Sequence, residues 1–330
     1  MAQNTEFINK RGKIFIKKII ANKNDANQRL DKFLAKTFGN LPPSMLYKFI
    51  RAKKIKVNGK RCAIGYKLNE GDIIDLYIKD EFLVTENHIL SFKDIIPKLK
   101  ILYEDGNILL CDKKPGVIVH PDKNEEINTL INHITAYLYK KGEYNPEFEN
   151  SFAPALCNRI DRNTGGIVIC AKNSETLRII NEKIKNNEIE KKYLCLINGI
   201  LDKKSGIMTA YHRKNQDLNI AEINKNKFPG SKIIKTGYEV LGEKNNISLV
   251  EVELITGRTH QIRAHFAYIG RPLVGDGKYN KNKTPGFFHQ ALYAYKIKFN
   301  FTGESGVLDY LNGKIITAGS VGEIASRWKF

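Results

Sequence analysis

The chain has 330 residues, enough to bury a sizeable core and to form more than one domain. Its hydrophobic content of 42% is that of an ordinary globular protein, which argues against a disordered tail or a membrane protein. Lysine and arginine outnumber aspartate and glutamate by 54 to 35, and the resulting net charge of +19 favours a polyanionic partner.

The positive charge is concentrated at the start of the chain. Residues 1–61 contain sixteen lysines and arginines against three acids, Glu6, Asp25 and Asp31, so this segment carries +13 of the +19. A lysine-rich proteome explains a generally basic chain but not this concentration. We therefore expect the first fifth of the chain to meet the polyanion.

The cysteines and histidines form no pattern typical of a metal site. The five cysteines are widely spaced, odd in number and without a C-x-x-C pair, so we expect reduced core side chains of a cytosolic protein. The seven histidines form no H-x-x-x-H or Cys/His cluster, and no zinc site is expected. The apolar runs fit neither a secretory leader nor a membrane span.

The first predicted elements follow from the spacing of apolar residues. Residues 1–24 are basic around the short apolar run 13–17, which fits either an edge strand or a loosely held arm. Apolar residues then recur at helical spacing up to Gly39, namely at Leu30, Phe33, Leu34 and Phe38. A second helix opens at Pro42-Pro43-Ser44, and residues 55–61 read as a strand with an Asn-Gly turn. A further strand is predicted at 73–78.

This first region resembles the alpha-L RNA-binding domain, first described in a small-subunit ribosomal protein. The resemblance rests on the order of elements and on Arg-Leu-Asp-Lys-Phe-Leu at 29–34, Lys-Val-Asn-Gly at 56–59 and Glu-Gly-Asp at 70–72. It implies that residues 25–80 hold RNA by its shape and phosphates. The alternative is a small α+β domain with solvated lysines. The side chains expected to contact RNA are Arg29, Lys32, Lys48, Arg51, Lys53, Lys54, Lys56 and Lys60.

The rest of the chain reads as a linker followed by a larger domain. Residues 81–98 lack a clear period and are the predicted linker, and residues 99–330 are the predicted second domain. Strands are predicted at 100–103, 108–111, 167–171, 189–199, 233–241 and 247–255, and helices at 129–140 and 173–185. Residues 201–232 are polar and rich in turns, and no element is predicted there. The mixture predicts an α+β domain around a long mixed or antiparallel sheet.

Four ordered segments of this second domain resemble the RluA-type RNA pseudouridine synthase family. Residues 113–121 are similar to the family's Lys-Pro-x-Gly-x-x-Val-His-Pro, with Lys114 in place of the usual proline. Residues 158–166 are similar to His-Arg-Leu-Asp-x-x-Thr-Ser-Gly, and Lys191-Lys192-Tyr193 is similar to Lys-x-Tyr. The fourth segment is the Gly-Arg-Thr-His-Gln-Ile-Arg run at 257–263. Together they identify the chain as a member of the family.

The resemblance implies a site built around Asp161 that needs no cofactor and no metal. Asp161 would be the catalytic carboxylate, acting on a uridine flipped out of its RNA context. It would attack the sugar or ring as a nucleophile, or remove a sugar proton to give a glycal, and the sequence leaves both open. Arg258 matches the family arginine that pairs with the acid and keeps it ionised. Tyr193 matches the tyrosine that lies against the uracil.

Several of these residues also have a plainer interpretation. Asp161 could be a turn residue paired with Arg159 or Arg162, and Tyr193 a core side chain. Asn158 replaces the family's usual histidine and Gly165 its usual serine, which puts a base-flipping role at 158 and a hydroxyl at 165 in doubt. The remaining side chains expected to contact RNA are Lys114, His120, Asn158, Arg159, Thr164, His260 and Arg263.

The layout of the chain favours ribosomal RNA of the large subunit as the substrate. An alpha-L domain followed by the catalytic domain is typical of that branch of the family, and a cytoplasmic monomer is expected. Transfer RNA is an alternative substrate. Two further alternatives are a non-catalytic RNA-binding factor of ribosome assembly and a hydrolytic base glycosylase, which normally needs a second acid or a positioned water.

Overall fold

The computed structural model describes residues 3–9, 12–83, 92–281 and 284–330. The chain divides into two compact units, neither of which is continuous in sequence. The first comprises residues 1–97, 132–154 and 173–175, and the second comprises residues 98–131, 155–172 and 176–330. The predicted linker lies partly outside the described residues, and the domain boundaries at 25–80, 81–98 and 99–330 stay predictions.

The first unit contains a five-stranded antiparallel sheet and helices. The strands follow one another across the sheet in the order β1-β2-β5-β3-β4. β1 and β2 pair antiparallel, with β1 at the edge of the sheet and β2 between β1 and β5. The apolar run 13–17, for which an edge strand or a loosely held arm was expected, lies within β2, an inner strand. The elements are β1 Gln3–Asn9, β2 Gly12–Ile20, α1 Leu30–Thr37, α2 Pro43–Arg51, β3 Ile55–Val57, β4 Lys60–Arg61, β5 Ile73–Leu76 and α3 Leu130–Lys140, of which residues 132–140 belong to this unit.

The core of the first unit confirms the predicted helical periodicity. The four apolar side chains at helical spacing, Leu30, Phe33, Leu34 and Phe38, are all fully buried. Helix α2 has Pro43 in its first turn, where the missing N–H costs no intrahelical hydrogen bond. Asn58 and Gly59 both have positive φ, as a two-residue hairpin turn between β3 and β4 requires.

The second unit is built on an eleven-stranded mixed sheet. The main path runs β12-β11-β13-β14-β10-β15-β9-β7-β6, with β16 paired to β15 and β8 paired to β9. Among the described strands, β9 and β15 pair in parallel and the other neighbours pair antiparallel. The strands are β6 Ile101–Glu104, β7 Ile108–Lys113, β8 Ala155–Leu156, β9 Gly165–Ala171, β10 Ile189–Asn198, β11 Ser205–Asn215, β12 Ile220–Asn224, β13 Lys232–Lys244, β14 Ile247–Glu253, β15 Leu292–Phe299 and β16 Ile315–Thr317. The helices are α4 Ser174–Lys185, of which residues 176–185 belong to this unit, α5 Gln261–Tyr268 and α6 Val321–Arg327. The predicted α+β fold with a long mixed sheet is confirmed.

The polar segment 201–232, for which no element was predicted, contains a hairpin. Strands β11 and β12 pair over residues 211–224, and β12 is an edge strand. Most of their side chains are exposed or half-buried, so the apolar alternation that marks a strand in the sequence is absent.

The parallel contact between β9 and β15 fixes the strand that follows Asp161. All seven residues of β9 are buried. Gly166 pairs with Ala294 and has φ of +113°, and a Cβ there would lie 2.1 Å from the Ala294 carbonyl oxygen. Only glycine permits this approach, which leaves the residues just before β9 in a fixed place.

The described cysteines are free thiols, and Cys111, Cys170 and Cys195 are buried as predicted, whereas Cys62 and Cys157 are half-buried. Among the described residues, no helix is long and apolar enough to cross a membrane.

Candidate active site

Seven residues selected from the sequence line one cavity of the second unit. They come from the loop between β8 and β9, from β10 and from the turn into α5: Arg159, Asp161, Thr164, Tyr193, Arg258, His260 and Arg263. The side chain of Asp161 is 27% exposed, so its carboxylate reaches the cavity. Lys114, His120 and Asn158 do not line it. Three separate segments of sequence thus meet at one carboxylate.

The arginine that contacts Asp161 is Arg263. Its Nη1 donates to Asp161 Oδ2 at 2.8 Å, while Nε and Nη2 donate to the two oxygens of Asp276 at 2.7 and 2.8 Å. Burial opposes the charge of Arg263, but the hydrogen bonds and attraction of Asp276 and then Asp161 outweigh it and raise its pKa. The guanidinium is therefore a permanently charged bridge between two carboxylates.

The predicted pairing of Arg258 with Asp161 is wrong for this structure. Arg258 lines the same cavity, but its side chain is exposed, and its backbone N–H donates to Gln261 Oε1 at 3.1 Å. Arg258 lies before the helix, whereas Arg263 lies within α5 and is 6% exposed. The two arginines are five positions apart in one motif. Because α5 begins at Gln261, between them, Arg263 is on the helix and points to Asp161, while Arg258 is on the preceding turn.

Asp276 is the residue that sequence reasoning missed in this cluster. The residue is 1% exposed, and besides the Arg263 hydrogen bonds its carboxylate accepts hydrogen bonds from the backbone N–H groups of Lys278 and Tyr279 at 2.9 and 3.1 Å. Burial raises its pKa, but Arg263 and these N–H groups outweigh burial, and the pKa is lowered. The signal in the sequence was the Gly-Asp at 275–276, which carries a lone acid in an apolar stretch.

Tyr193 lies on β10 and faces the cavity. It is 5% exposed, and burial, with a smaller contribution from Asp161, raises the pKa of its hydroxyl well above the ordinary value. The tyrosine is therefore neutral in the physiological range. Its ring offers a flat apolar surface beside a carboxylate, which suits a stacked base.

Gly165 accommodates a tyrosine on the neighbouring strand. A Cβ at this position would lie 2.4 Å from Cε2 and 2.7 Å from Cδ2 of Tyr293, and 3.2 Å from Pro115 Cδ. Tyr293 is 6% exposed and donates a hydrogen bond from its hydroxyl to Asp112. Glycine thus replaces the family's usual serine at 165, and the Tyr293 ring occupies the space that a side chain at 165 would fill.

Asn158 holds the strand that follows the site. Its Nδ2 donates to the Ile167 carbonyl at 3.2 Å and its Oδ1 accepts from the Ile169 N–H at 2.8 Å. Both ends of the amide are therefore used on the backbone of β9. Thr164 is 2% exposed and accepts from Gln290 Nε2 at 3.2 Å, while its N–H donates to the Asp161 carbonyl at 3.0 Å.

Lys113 ties the Asp161 loop to the Pro115-Gly116 turn. Its ammonium donates to the carbonyls of Lys114, Val117 and Arg162 at 3.1, 2.7 and 2.8 Å. It is 1% exposed, and burial lowers its pKa to about 7. The sequence placed this lysine at the start of the motif at 113–121, and the structure shows its ammonium on three backbone oxygens.

The basic residues predicted to contact RNA in the first unit lie at its surface. Arg29 pairs with Asp31 at 2.9 Å, Lys56 is half-buried, and the other six are exposed. In the second unit Lys114, His120 and Arg159 are exposed as well. Their roles stay predictions. Within the described part of the chain no group of three or more His, Cys, Asp or Glu side chains could hold a metal ion.

Comparison with known families agrees with both resemblances. Residues 107–268 match the RNA pseudouridylate synthase family, and residues 28–74 match the S4 domain. An uncharacterized RNA pseudouridine synthase of Mycoplasma genitalium is 36% identical over 291 residues, which cover 86% of this chain and 88% of that protein. The ribosomal large subunit pseudouridine synthase C of Buchnera aphidicola subsp. Schizaphis graminum is 32% identical over 273 residues, 80% of each chain.

The fold is also found in solved structures of low sequence identity. Human RNA pseudouridylate synthase domain containing 1 superposes with a TM-score of 0.52 at 19% identity, over 70% of this chain and 95% of that one.

Proposed function

The chain belongs to the RNA pseudouridylate synthase family, and we propose that it isomerises uridines of large-subunit ribosomal RNA with Asp161 as the catalytic carboxylate. Its class is that of an RNA-modifying isomerase with an S4 domain in front. The resemblance to the RluA-type family is thereby confirmed, while the target RNA and the catalytic residue belong to the proposal.

One observation carries the role of Asp161: its two oxygens have different surroundings. Oδ2 accepts the Arg263 hydrogen bond, whereas Oδ1 lies 3.9 Å from His260 Nε2, too far for a hydrogen bond. Arg263 cannot turn away, because Asp276 holds its other two nitrogen atoms, Nε and Nη2. The carboxylate is thus anchored through one oxygen and presents the other at the cavity, as a nucleophile or base requires.

The proposed reaction exchanges one bond of the base for another. A uridine is flipped into the cavity, and its C1′–N1 bond breaks with Asp161 acting either on C1′ as a nucleophile or on a sugar proton as a base. The detached uracil rotates against Tyr193, and C5 bonds to C1′ while the Asp161–C1′ bond breaks in the first route or the sugar proton returns from Asp161 in the second. N1 takes up a proton and C5 loses one. The anchored carboxylate serves both routes, and both stay open.

The proposed substrate rests on the relatives and on charge. Relatives that cover most of the chain carry the name ribosomal large subunit pseudouridine synthase C. The S4 match lies in the segment that holds +13 of the +19 charge, where phosphates would be contacted. A ribosomal RNA substrate would place the enzyme in the cytoplasm, and we expect it to act as a monomer. Transfer RNA is the second candidate substrate.

Release of tritium from 5-tritiated uridine tests the reaction, because C5 loses its hydrogen when it joins C1′. Ribosomal and transfer RNA transcripts are compared, with wild-type protein, Asp161→Asn and the matched control Asp202→Asn, an exposed aspartate. We expect release from large-subunit RNA by wild type and control, and none by Asp161→Asn.

Other results each refute one part of the proposal. Release from transfer RNA alone contradicts the ribosomal substrate. Free uracil among the products indicates a hydrolytic glycosylase, and equal release by Asp161→Asn removes that residue from the chemistry. A cellular role that survives Asp161→Asn indicates a non-catalytic assembly factor.

A further inference from the structure

Tyr279 connects the β11–β12 hairpin to the candidate active site. Its hydroxyl accepts a hydrogen bond from the Ala221 N–H of β12 at 2.6 Å and lies 3.0 Å from Nδ1 of His260. Its ring meets the His260 ring edge-on, with centroids 5.7 Å apart, and the Arg263 guanidinium lies 5.3 Å from the tyrosine centroid. One side chain thus contacts the hairpin, the histidine and the bridging arginine.

These contacts specify where the protons lie. Ala221 N–H is an obligatory donor, so it occupies a lone pair of the Tyr279 oxygen. Burial raises the pKa of Tyr279 to about 12, so the hydroxyl keeps its proton, and among the described residues Nδ1 of His260 is the remaining partner for it. Nδ1 therefore accepts, and the proton of a neutral His260 is on Nε2.

His260 is neutral in the physiological range and points its other nitrogen at Asp161. Burial, together with Arg263 and Lys278, outweighs the attraction of Asp161 and lowers its pKa to about 4. Its backbone is left-handed, with φ of 53°, at the residue before α5. Its Nε2 lies 3.9 Å from Asp161 Oδ1, the oxygen that Arg263 leaves open.

We infer that Tyr279, held by the β11–β12 hairpin, fixes His260 as the Nε2–H tautomer, a hydrogen-bond donor aimed at Asp161 Oδ1. This inference rests on the proposed function for its kinetic consequence but not for the tautomer. A closing shift of about 1 Å would complete the hydrogen bond. His260 then orients the reacting carboxylate opposite Arg263, and Tyr279 is a positioning residue that acts through His260.

Two more contacts make the hairpin a support of the same turn. His212 of β11 donates from Nε2 to the Thr259 carbonyl at 2.9 Å, and Lys278 donates to the Asn219 carbonyl at 2.9 Å. The residues just before His260 and Tyr279 are thus tied to β11 and to the connection between β11 and β12. The hairpin, for which the sequence predicted no element, fixes the geometry of the acid.

Nitrogen NMR of the full-length protein labelled with ¹⁵N-histidine tests the tautomer without any RNA. His260→Gln identifies the His260 resonances by their absence. At neutral pH we expect a protonated Nε2 and an unprotonated Nδ1 in the wild type, and a mixture of tautomers in Tyr279→Phe. Tyr268→Phe, an exposed tyrosine of α5, is the control and should match the wild type. A wild-type proton on Nδ1, or an unchanged tautomer in Tyr279→Phe, overturns the inference.

Kinetics of tritium release test the consequence for the reaction. We expect Tyr279→Phe to lower kcat about tenfold, the loss of one hydrogen bond in the transition state, with KM for RNA within about twofold of wild type. His260→Ala should lose more than His260→Gln, whose amide can still donate. Unchanged kcat in Tyr279→Phe refutes the role in the reaction. If the wild type releases no tritium but the tautomer pattern is as expected, the proposed function fails while the tautomer assignment stands.

Discussion

Gly165→Ser introduces the side chain that the family usually carries beside the catalytic loop. The added Cβ would lie 2.4 Å from the Tyr293 ring, well inside van der Waals contact. The ring cannot swing aside freely, because its hydroxyl is bonded to Asp112, and Pro115 Cδ lies 3.2 Å from the new Cβ. Overpacking of this kind costs about 1–3 kcal/mol, so we expect the free energy of unfolding to fall by that amount.

A double-mutant cycle with Tyr293→Leu isolates the clash. Tyr293→Leu alone should cost about 2–4 kcal/mol through the lost ring and hydrogen bond, while Asp112 keeps its ion pair with Lys100 at 2.9 Å. The loss of unfolding free energy in the double variant should be smaller than the sum of the two single losses by about 1–2 kcal/mol, because the smaller leucine side chain leaves room for serine. Urea denaturation measures all four proteins.

Activity provides a second measure of the same clash. Thr164 and Asp161 precede Gly165, so a displaced strand start should lower kcat in Gly165→Ser about tenfold, and Tyr293→Leu should restore part of it. Gly322→Ser, in α6 with open space around the added Cβ, is the control for serine itself. If the stability losses of Gly165→Ser and Tyr293→Leu add up within about 0.5 kcal/mol, the Tyr293 ring is not what excludes a side chain at position 165.

Three further predictions concern charged groups of the second unit. Arg263→Lys should lower kcat about a hundredfold, since one ammonium cannot bridge the carboxylates of Asp161 and Asp276. Arg258→Lys should mainly raise KM, and equal losses of kcat in the two variants contradict this prediction. Lys113→Met should lower the free energy of unfolding in urea by about 2–4 kcal/mol, because three carbonyls lose their donor, and an unchanged midpoint contradicts this. Burial, with a smaller contribution from His212, lowers the pKa of His265 from 6.5 to about 4, so this residue should reduce the free energy of unfolding by up to about 3 kcal/mol as pH falls from 6.5 to 4. His265→Asn should remove that contribution, and an equally steep pH dependence in the variant contradicts this.

The periodic elements and the identity of the motifs could be predicted from the sequence. The spacing of Leu30, Phe33, Leu34 and Phe38 defines one face of a helix whatever it packs against, because 3.6 residues per turn is a local property. Motif residues on the loop before β9, on β10 and before α5 met in one cavity, as their shared resemblance implied. The edge hairpin β11–β12 was not predictable in this way, since exposed strands lack the apolar alternation.

By itself the sequence determined the helical and strand periodicities, the concentration of charge in residues 1–61 and the presence of Asp161 within a motif. The tertiary structure decided which side chains become partners. Arg263 lies 102 residues from Asp161 and five from Arg258, and the choice between the two arginines depends on the turn that starts α5 and on Asp276 behind it. Partner choice is a matter of distance and direction in three dimensions, and the spacing of residues along a chain does not contain it.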